Sequence, residues 1–248
     1  MPDFSQRSSQ SELMDDFSID DERLAHALVD LRRVNRYLGG NAATMKHLQP
    51  LIGKARPDAP LKVLDVATGG ADFPEYLMRQ AVRQGWHIHP TGLDINEATL
   101  EYARAALDER LPPRLAAQVE LRQGNALTLP FADNTFDVGI TSLFMHHLND
   151  DEAVQMLQEL DRTARLGFIV NDLHRHPLAY YAVKAWATVT KASEFFHHDA
   201  PVSVLRGFTR DEMQTLVQRA GLPHARIQWH WAFRWTISTT HEHTSHHG

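Results

Sequence analysis

Residues 61–72 read Leu61-Lys62-Val63-Leu64-Asp65-Val66-Ala67-Thr68-Gly69-Gly70-Ala71-Asp72. The first six form a short β-rich run. It ends in small residues, and a helical pattern follows over residues 73–84. A strand that passes through glycines into a helix is the opening half of a βαβ unit. Downstream the pattern repeats. Residues 87–93 predict a second strand, followed by a helix over 96–107, and 119–122 predict a third strand. Residues 136–142 predict a fourth, with a helix over 151–162, and 167–172 a fifth, with a helical stretch from Leu178. Thr209 and Glu212 have capping-box spacing for a helix through Ala220, and 225–231 and 233–237 predict a closing hairpin. The expectation is an α/β fold with a doubly wound, mostly parallel seven-stranded sheet. Ligands of such sheets bind at the carboxyl ends of the strands.

Upstream, residues 1–17 are polar and aperiodic, which predicts a disordered leader. A helix is expected from Ser18 as N-cap, with Asp20, Asp21 and Glu22 at the positive end of its dipole. Leu24, Leu28, Leu31, Val34 and Leu38 recur along it at helical spacing. Gly39-Gly40 stop it and offer a hinge. A second helix is expected from about Asn41, bent or ended by Pro50. Residues 18–58 are therefore taken as an N-terminal helical lid, residues 59–240 as the main domain, and 241–248 as a disordered tail. The tail's four histidines lack hydrophobic anchors, and no metal site is expected.

The chain has 248 residues and a formal net charge of −6, with 43% hydrophobic and 23% charged residues. Residues 1–30 alone carry eight acids against two arginines, so the rest of the chain is formally neutral. No basic stripe exists to follow a phosphate backbone, which argues against a nucleic-acid substrate. No run approaches 18 apolar residues, so no membrane span is expected, and the amino terminus lacks the n- and h-regions of a secretory signal. The expected location is cytoplasmic. Cysteine is absent, which removes thiolate metal sites and cysteine nucleophiles together. Monomer and homodimer remain open.

Three further stretches bear on chemistry. The turn at 65–72 lets backbone approach a ligand closely, but it does not supply the G-x-G-x-x-G of a nicotinamide dinucleotide site. Asp94, in Gly92-Leu93-Asp94-Ile95-Asn96, ends the second strand, where an acid can accept hydrogen bonds from both ribose hydroxyls or cap the next helix. Gln123–Phe131 and Asn134–Ser142 follow.

Taken together in this order and spacing, VLDVATGGAD, GLDIN, GNALTLPF and FDVGITSLFMHHL resemble the four signature segments of class I S-adenosylmethionine-dependent methyltransferases. The resemblance spans roughly residues 60–175. It implies a Rossmann-like methyltransferase fold, S-adenosyl-L-methionine as cofactor and a small-molecule acceptor. It also implies cofactor contacts at Asp65, Ala67, Thr68 and Gly69 of the glycine-rich segment, at Asp94 and Ile95, and at Asn125 and Ala126. Ser142 is implied beside the methionine part. Ala67 and Ala71 stand where the family most often has glycine. Alanine disfavours strongly positive φ, so a slightly different loop shape is expected. In relatives with added N-terminal helices, those helices cover the cofactor, and Arg36 is placed near the cofactor carboxylate on that basis.

Methyl transfer needs chiefly alignment and exclusion of water, because the sulfonium is already activated. An oxygen nucleophile also needs to lose a proton. The histidines at the expected rim are His146 and His147, after the fourth strand, and His174 and His176, after the fifth, where Asp172 and Arg175 also lie; His174, His176 and His147 are the candidate bases. Pro177 is expected to break the strand, turning one of His174 and His176 inward and the other outward. The aromatic-rich residues 178–206 are expected to build the acceptor pocket. The expected acceptor is a hydroxyl of a phenolic or polyketide-like compound. Carbon methylation of a quinone precursor and a non-catalytic cofactor-binding scaffold are the alternatives.

Overall fold

A computed structural model describes residues 2–15, 21–56 and 58–241. The expected cap at Ser18 and the tail beyond His241 lie outside the described residues.

Two helices lead, α1 (Asp21–Tyr37) and α2 (Gly40–Ile52). They are followed by β1 (Leu61–Val66), α3 (Asp72–Gln84), β2 (Ile88–Asp94), α4 (Glu97–Arg110), the short α5 (Pro113–Ala116) and β3 (Glu120–Gln123). The second half comprises β4 (Phe136–Ser142), α6 (Asp150–Thr163), β5 (Ala164–Leu173), α7 (Pro177–Thr190), α8 (Glu194–Arg206), α9 (Arg210–Arg219), β6 (Arg226–His230) and β7 (Arg234–Ser238). The strands form one sheet in the order β3-β2-β1-β4-β5-β7-β6. β1 to β5 run parallel, and β7 enters antiparallel between β5 and β6. This is the doubly wound α/β sheet expected from the alternation of strand and helix. Its order reverses between β1 and β4, the switch point where such sheets open a crevice.

Period-2 alternation sends neighbouring residues of each strand to opposite faces. Leu64, Val66, Phe168 and Val170 pack beneath α6 and α9 with Met156, Leu157, Leu160 and Met213. Val63, Ile140, Leu166 and Ile169 pack on the other face with Met45, Leu48 and Leu51 of α2 and Phe73 and Leu77 of α3. α2 therefore closes one face of the sheet, and the lid expected over 18–58 is not one unit. Only α1 lies over the crevice.

Gly39 and Gly40 do not form an open hinge either. Gly39 has φ +77°, and a Cβ there would stand 2.6 Å from the Trp231 carbonyl oxygen. The Gly40 carbonyl accepts the Asn171 Nδ2 at 2.8 Å. The guanidinium of Arg234, buried to 1% exposure, reaches the Asn35 Oδ1 at 3.2 Å beside it. This corner is tightly packed because backbone of α2 and of the β6–β7 turn meet without room for a side chain.

The leader is the second departure. Arg7 donates to the carbonyls of Arg206, His146 and Leu148, pairs with Asp150 at 2.9 Å, and stacks over the Phe208 ring. The Ser8 N–H donates to the Leu205 carbonyl, and the N–H groups of Leu13 and Met14 donate to the Asp199 carboxylate. Residues 2–15 thus form an ordered strap across α8. Polar composition alone cannot reveal this, because its partners lie about 140 to 200 residues away in the chain.

Candidate active site

The turn after β1 is held from both sides. The Thr68 hydroxyl donates to Asp65 Oδ2 at 2.7 Å, and the Thr68 N–H donates to the Leu93 carbonyl. The Gly69 N–H donates to Asp94 Oδ2 at 2.9 Å. Asp65 is buried, which pushes its carboxyl up to about 7 against the opposing Thr68 hydrogen bond; the nearby acids Asp72 and Asp94 push the same way. Burial likewise raises Asp94, although the N–H groups of Asn96, Gly69 and Ile95 pull it down.

Ala67 and Ala71 have φ of +55° and +56°, matching +53° at Gly69. The loop therefore keeps a left-handed path at both alanines, contrary to the expectation that alanine would reshape it. The αL well is one that an alanine can enter at a cost of roughly 1–2 kcal/mol, and the surrounding hydrogen bonds supply that.

A cavity of about 560 Å³ opens above this turn. At one end it is lined by Ala67, Gly69, Asp94, Ile95, Asn125 and Ala126, six of the expected cofactor residues. The other four lie elsewhere. Asp65 and Thr68 are buried beneath the loop and shape it from below. Ser142 pairs with Asn171 in the sheet. Arg36 is exposed and stacks over Tyr37, off the cavity wall, because its helix turns Leu28, Leu31 and Val34 inward instead. The Asn125 Oδ1 accepts the Leu127 N–H at 2.8 Å, closing an Asx turn and leaving one lone pair for a ligand.

The roof and far wall are apolar, with Leu28, Leu31 and Val34 from α1, Val183 from α7, and Phe195 and Phe196 from α8. The far end is polar. There His146 and His147 follow β4 in a single 3₁₀ turn (Met145–His147), and Glu12, Met14 and Asp15 descend from the strap. His146 is 2% exposed, and its Nδ1 lies 2.7 Å from Asp172 Oδ1. The His147 Nδ1 lies 2.7 Å from Asp15 Oδ1. The Glu12 Oε1 lies 3.5 Å from the His146 Nε2, and Oε2 lies 3.8 Å from the His147 Nε2. Burial pushes the Glu12 carboxyl up, against His147, Ser203 and Arg206.

Of the three histidines expected to act on the acceptor, the structure brings only His147 to the cavity. His174 and His176 both turn toward the β6–β7 hairpin, with ring centroids 5.2 Å apart. His174 accepts the Trp229 indole N–H at 3.2 Å, and His176 stacks on Phe233. The His176 Nδ1 accepts the Leu178 N–H, so this residue caps α7. Pro177 starts that helix and does not split the two rings. Burial and the neighbouring His176 and Arg175 push His174 down to about 4, which suits a neutral ring packed among aromatics.

The sequence pointed to neither Glu12 nor Asp15 as a site group, and it put His146 and Asp172 at the rim without linking them. A signal existed in Glu12-Leu13-Met14-Asp15, two acids three apart beside two apolar residues, which is unusual for a solvated leader.

Residues 63–167 match the model of a methyltransferase domain family. A demethylmenaquinone methyltransferase of Desulfitobacterium hafniense is 29% identical over 184 residues, covering 68% of each chain. Another of that name from Listeria welshimeri is 34% identical over 105 residues, and the match covers 42% of this chain and 41% of that one. Among solved structures, a SAM-dependent methyltransferase from Aquifex aeolicus superposes with a TM-score of 0.59 at 17% identity, covering 89% of this chain and 97% of that one. Human N-acetylserotonin methyltransferase gives 0.61 at 13% identity over 89% of this chain and 56% of that one. At those identities the structural likeness is one of fold.

Proposed function

We propose that this chain, a class I S-adenosylmethionine-dependent methyltransferase, methylates an aromatic hydroxyl compound that lies in the apolar part of the cavity with its oxygen at the polar end. The observation that carries this is the division of one cavity into three parts: a ribose-type acid end, an apolar middle and a histidine-carboxylate end.

S-adenosylmethionine supplies a methyl group on a sulfonium, activated without further help from the protein. Asp94 holds its ribose hydroxyls, since each carboxylate oxygen spends one acceptor site on a backbone N–H and keeps another. Ile95, Ala126 and Asn125 border the adenine. Ala67 and Gly69 bring backbone close to the remainder, and Asp65 and Thr68 hold that loop in shape from beneath. α1 and the strap cover the cavity, so that water is kept from the reacting atoms. At the far end, the polar groups that face the acceptor's hydroxyl are Glu12, His146 and His147. Leu28, Leu31, Val34, Phe195 and Phe196 favour a flat, apolar acceptor over a sugar or an amino acid.

A second reading is supported by the names of the curated relatives, demethylmenaquinone methyltransferases: methyl transfer to a ring carbon of a quinol. Loss of the hydroxyl proton activates that carbon too, so the same polar end serves both. The test is incubation with methyl-labelled S-adenosylmethionine and a panel of phenols, polyketide-like phenols and naphthohydroquinones, followed by mass spectrometry and localisation of the methyl by NMR. An O-methyl product supports the first reading and a C-methyl product the second. Methylation of polar amines or sugars alone would overturn both.

A further inference from the structure

We propose that Glu12, His146 and His147 form a binding site for a divalent transition cation at the polar end of the cavity. One ligand atom from each lies within 4.8 Å of the others. The two histidines are prepared alike. The Nδ1 of His146 faces the Asp172 carboxylate and that of His147 faces the Asp15 carboxylate, both at 2.7 Å. A carboxylate only accepts, so each Nδ1 carries a proton, which in the neutral ring leaves the Nε2 lone pair to face a cation. Both Nε2 atoms are turned to the same residue, Glu12. A carboxylate behind each metal-binding imidazole is how such ligands are oriented and made more basic.

The spacing points the same way. The two His–Glu12 separations, 3.5 and 3.8 Å, are too long for hydrogen bonds. Donors bound to one cation at 2.0–2.1 Å stand about 3.4 Å apart along a tetrahedral edge. The Glu12 Oε1 is buried and has no hydrogen-bond partner among the described residues, while Oε2 accepts the Ser203 hydroxyl at 2.7 Å. A buried carboxylate oxygen left without a partner costs stability unless something cationic meets it.

Charge supports the same conclusion. Glu12, Asp15 and Asp172 surround the two rings. Arg206 pairs with Asp15 at 2.7 Å and stands 3.9 Å from the Glu12 Oε1, and Arg7 and Arg234 both act electrostatically on Asp172. Arg7 is committed to Asp150 and Arg175 to Glu212. The two rings thus lie in acidic surroundings, which favour a bound cation. Two imidazoles and one carboxylate with positions left open suit zinc, iron(II) or cobalt(II) better than magnesium or calcium, which prefer oxygen ligands. The remaining positions open onto the cavity, where water or an acceptor oxygen completes them. None of this depends on which acceptor is methylated.

The test uses the full chain and a version with His243, His246 and His247 of the tail replaced by alanine, so that tail binding is counted separately. Both are titrated with Co²⁺, read by visible absorption, and with Zn²⁺, read by calorimetry. One equivalent is expected to survive tail replacement, with the d–d bands of a nitrogen-oxygen site. Glu12→Gln and His147→Ala should each weaken Co²⁺ binding at least tenfold and change the spectrum. Asp15→Asn should weaken it by about 10- to 100-fold. Glu12→Gln is nearly isosteric and keeps the test decisive if His147→Ala does not fold. Absence of an equivalent that survives tail replacement, or identical binding in Glu12→Gln, would overturn the site.

Discussion

Asp94 at the end of β2 accepts the backbone N–H of Gly69 at 2.9 Å, so one carboxylate joins the second strand to the glycine-rich turn of the first. Its other oxygen accepts the Asn96 N–H at 3.1 Å. The side chain that should meet the ribose is thereby set in position before any ligand arrives. Asp94→Ala removes both the loop contact and the ribose acceptor. Charge-assisted hydrogen bonds are worth roughly 1.5–3 kcal/mol, so affinity for S-adenosylhomocysteine should fall about tenfold or more. Calorimetry giving the parent affinity would remove Asp94 from the site.

Ala67 tests the left-handed turn. At φ +55° a glycine escapes the Cβ penalty but adds about 0.5–1 kcal/mol of entropy in the unfolded chain. Ala67→Gly should therefore be neutral or slightly stabilising, whereas the β-branched Ala67→Val should lose 1 kcal/mol or more, on the order of the αL cost. A valine variant that melts at or above the parent temperature would mean that residue 67 does not hold this conformation.

Asp65 sets a pH dependence of stability. Burial raises its carboxyl to about 7 from an exposed value of 3.8, so between those values the folded chain binds a proton that the unfolded chain lacks. That contribution is fully present below pH 3.8 and is lost as pH rises through 7. Asp72 is also raised to about 7 and adds to the same slope. Asp65→Asn keeps an oxygen for the Thr68 hydroxyl and cannot titrate. The stability of the ligand-free parent relative to this variant should decline from pH 4 to pH 8 by urea denaturation. Parallel curves would refute the raised carboxyl.

α2 belongs to the core, and the strap does not. Leu48 is fully buried against both β1 and β5 residues. Leu48→Ala should cost about 2–5 kcal/mol, and a chain starting at residue 54 should be insoluble. A chain lacking residues 1–15 should fold, since none of those residues belongs to the core on either face of the sheet. A soluble, cooperatively melting 54–248 fragment would contradict this division.

His174 offers a negative control. Loss of a working base costs about 10²- to 10⁴-fold in rate, whereas His174 bonds Trp229 away from the cavity. Once an acceptor is known, His174→Ala should keep turnover within about twofold. A hundredfold loss would mean that the hairpin side carries chemistry.

Much of this was legible in local sequence. β4 appears where its residues predict, and β1, β2, β5 and the α9 capping box follow from period and cap chemistry that act over a few residues. The glycine-rich turn and Asp94 were legible for the same reason, since a tight strand-to-helix turn and a strand-end acid are determined within ten residues. What no local pattern could provide was which distant side chains meet. Asp172 and His146 are 26 residues apart, Asp15 and His147 are 132 apart, and Arg7 and Arg206 are 199 apart. The polar leader became a strap because α8 offered it carbonyls and a carboxylate. His174 left the cavity because β7 pairs antiparallel beside β5 and brings aromatic partners to its end. Hydrophobic period and turn residues in the sequence determined the sheet and the glycine-rich turn at its crevice. The tertiary structure alone decided the polar end, because its groups are joined through space and their burial, which sets their charge and direction, exists only once the chain has closed around them.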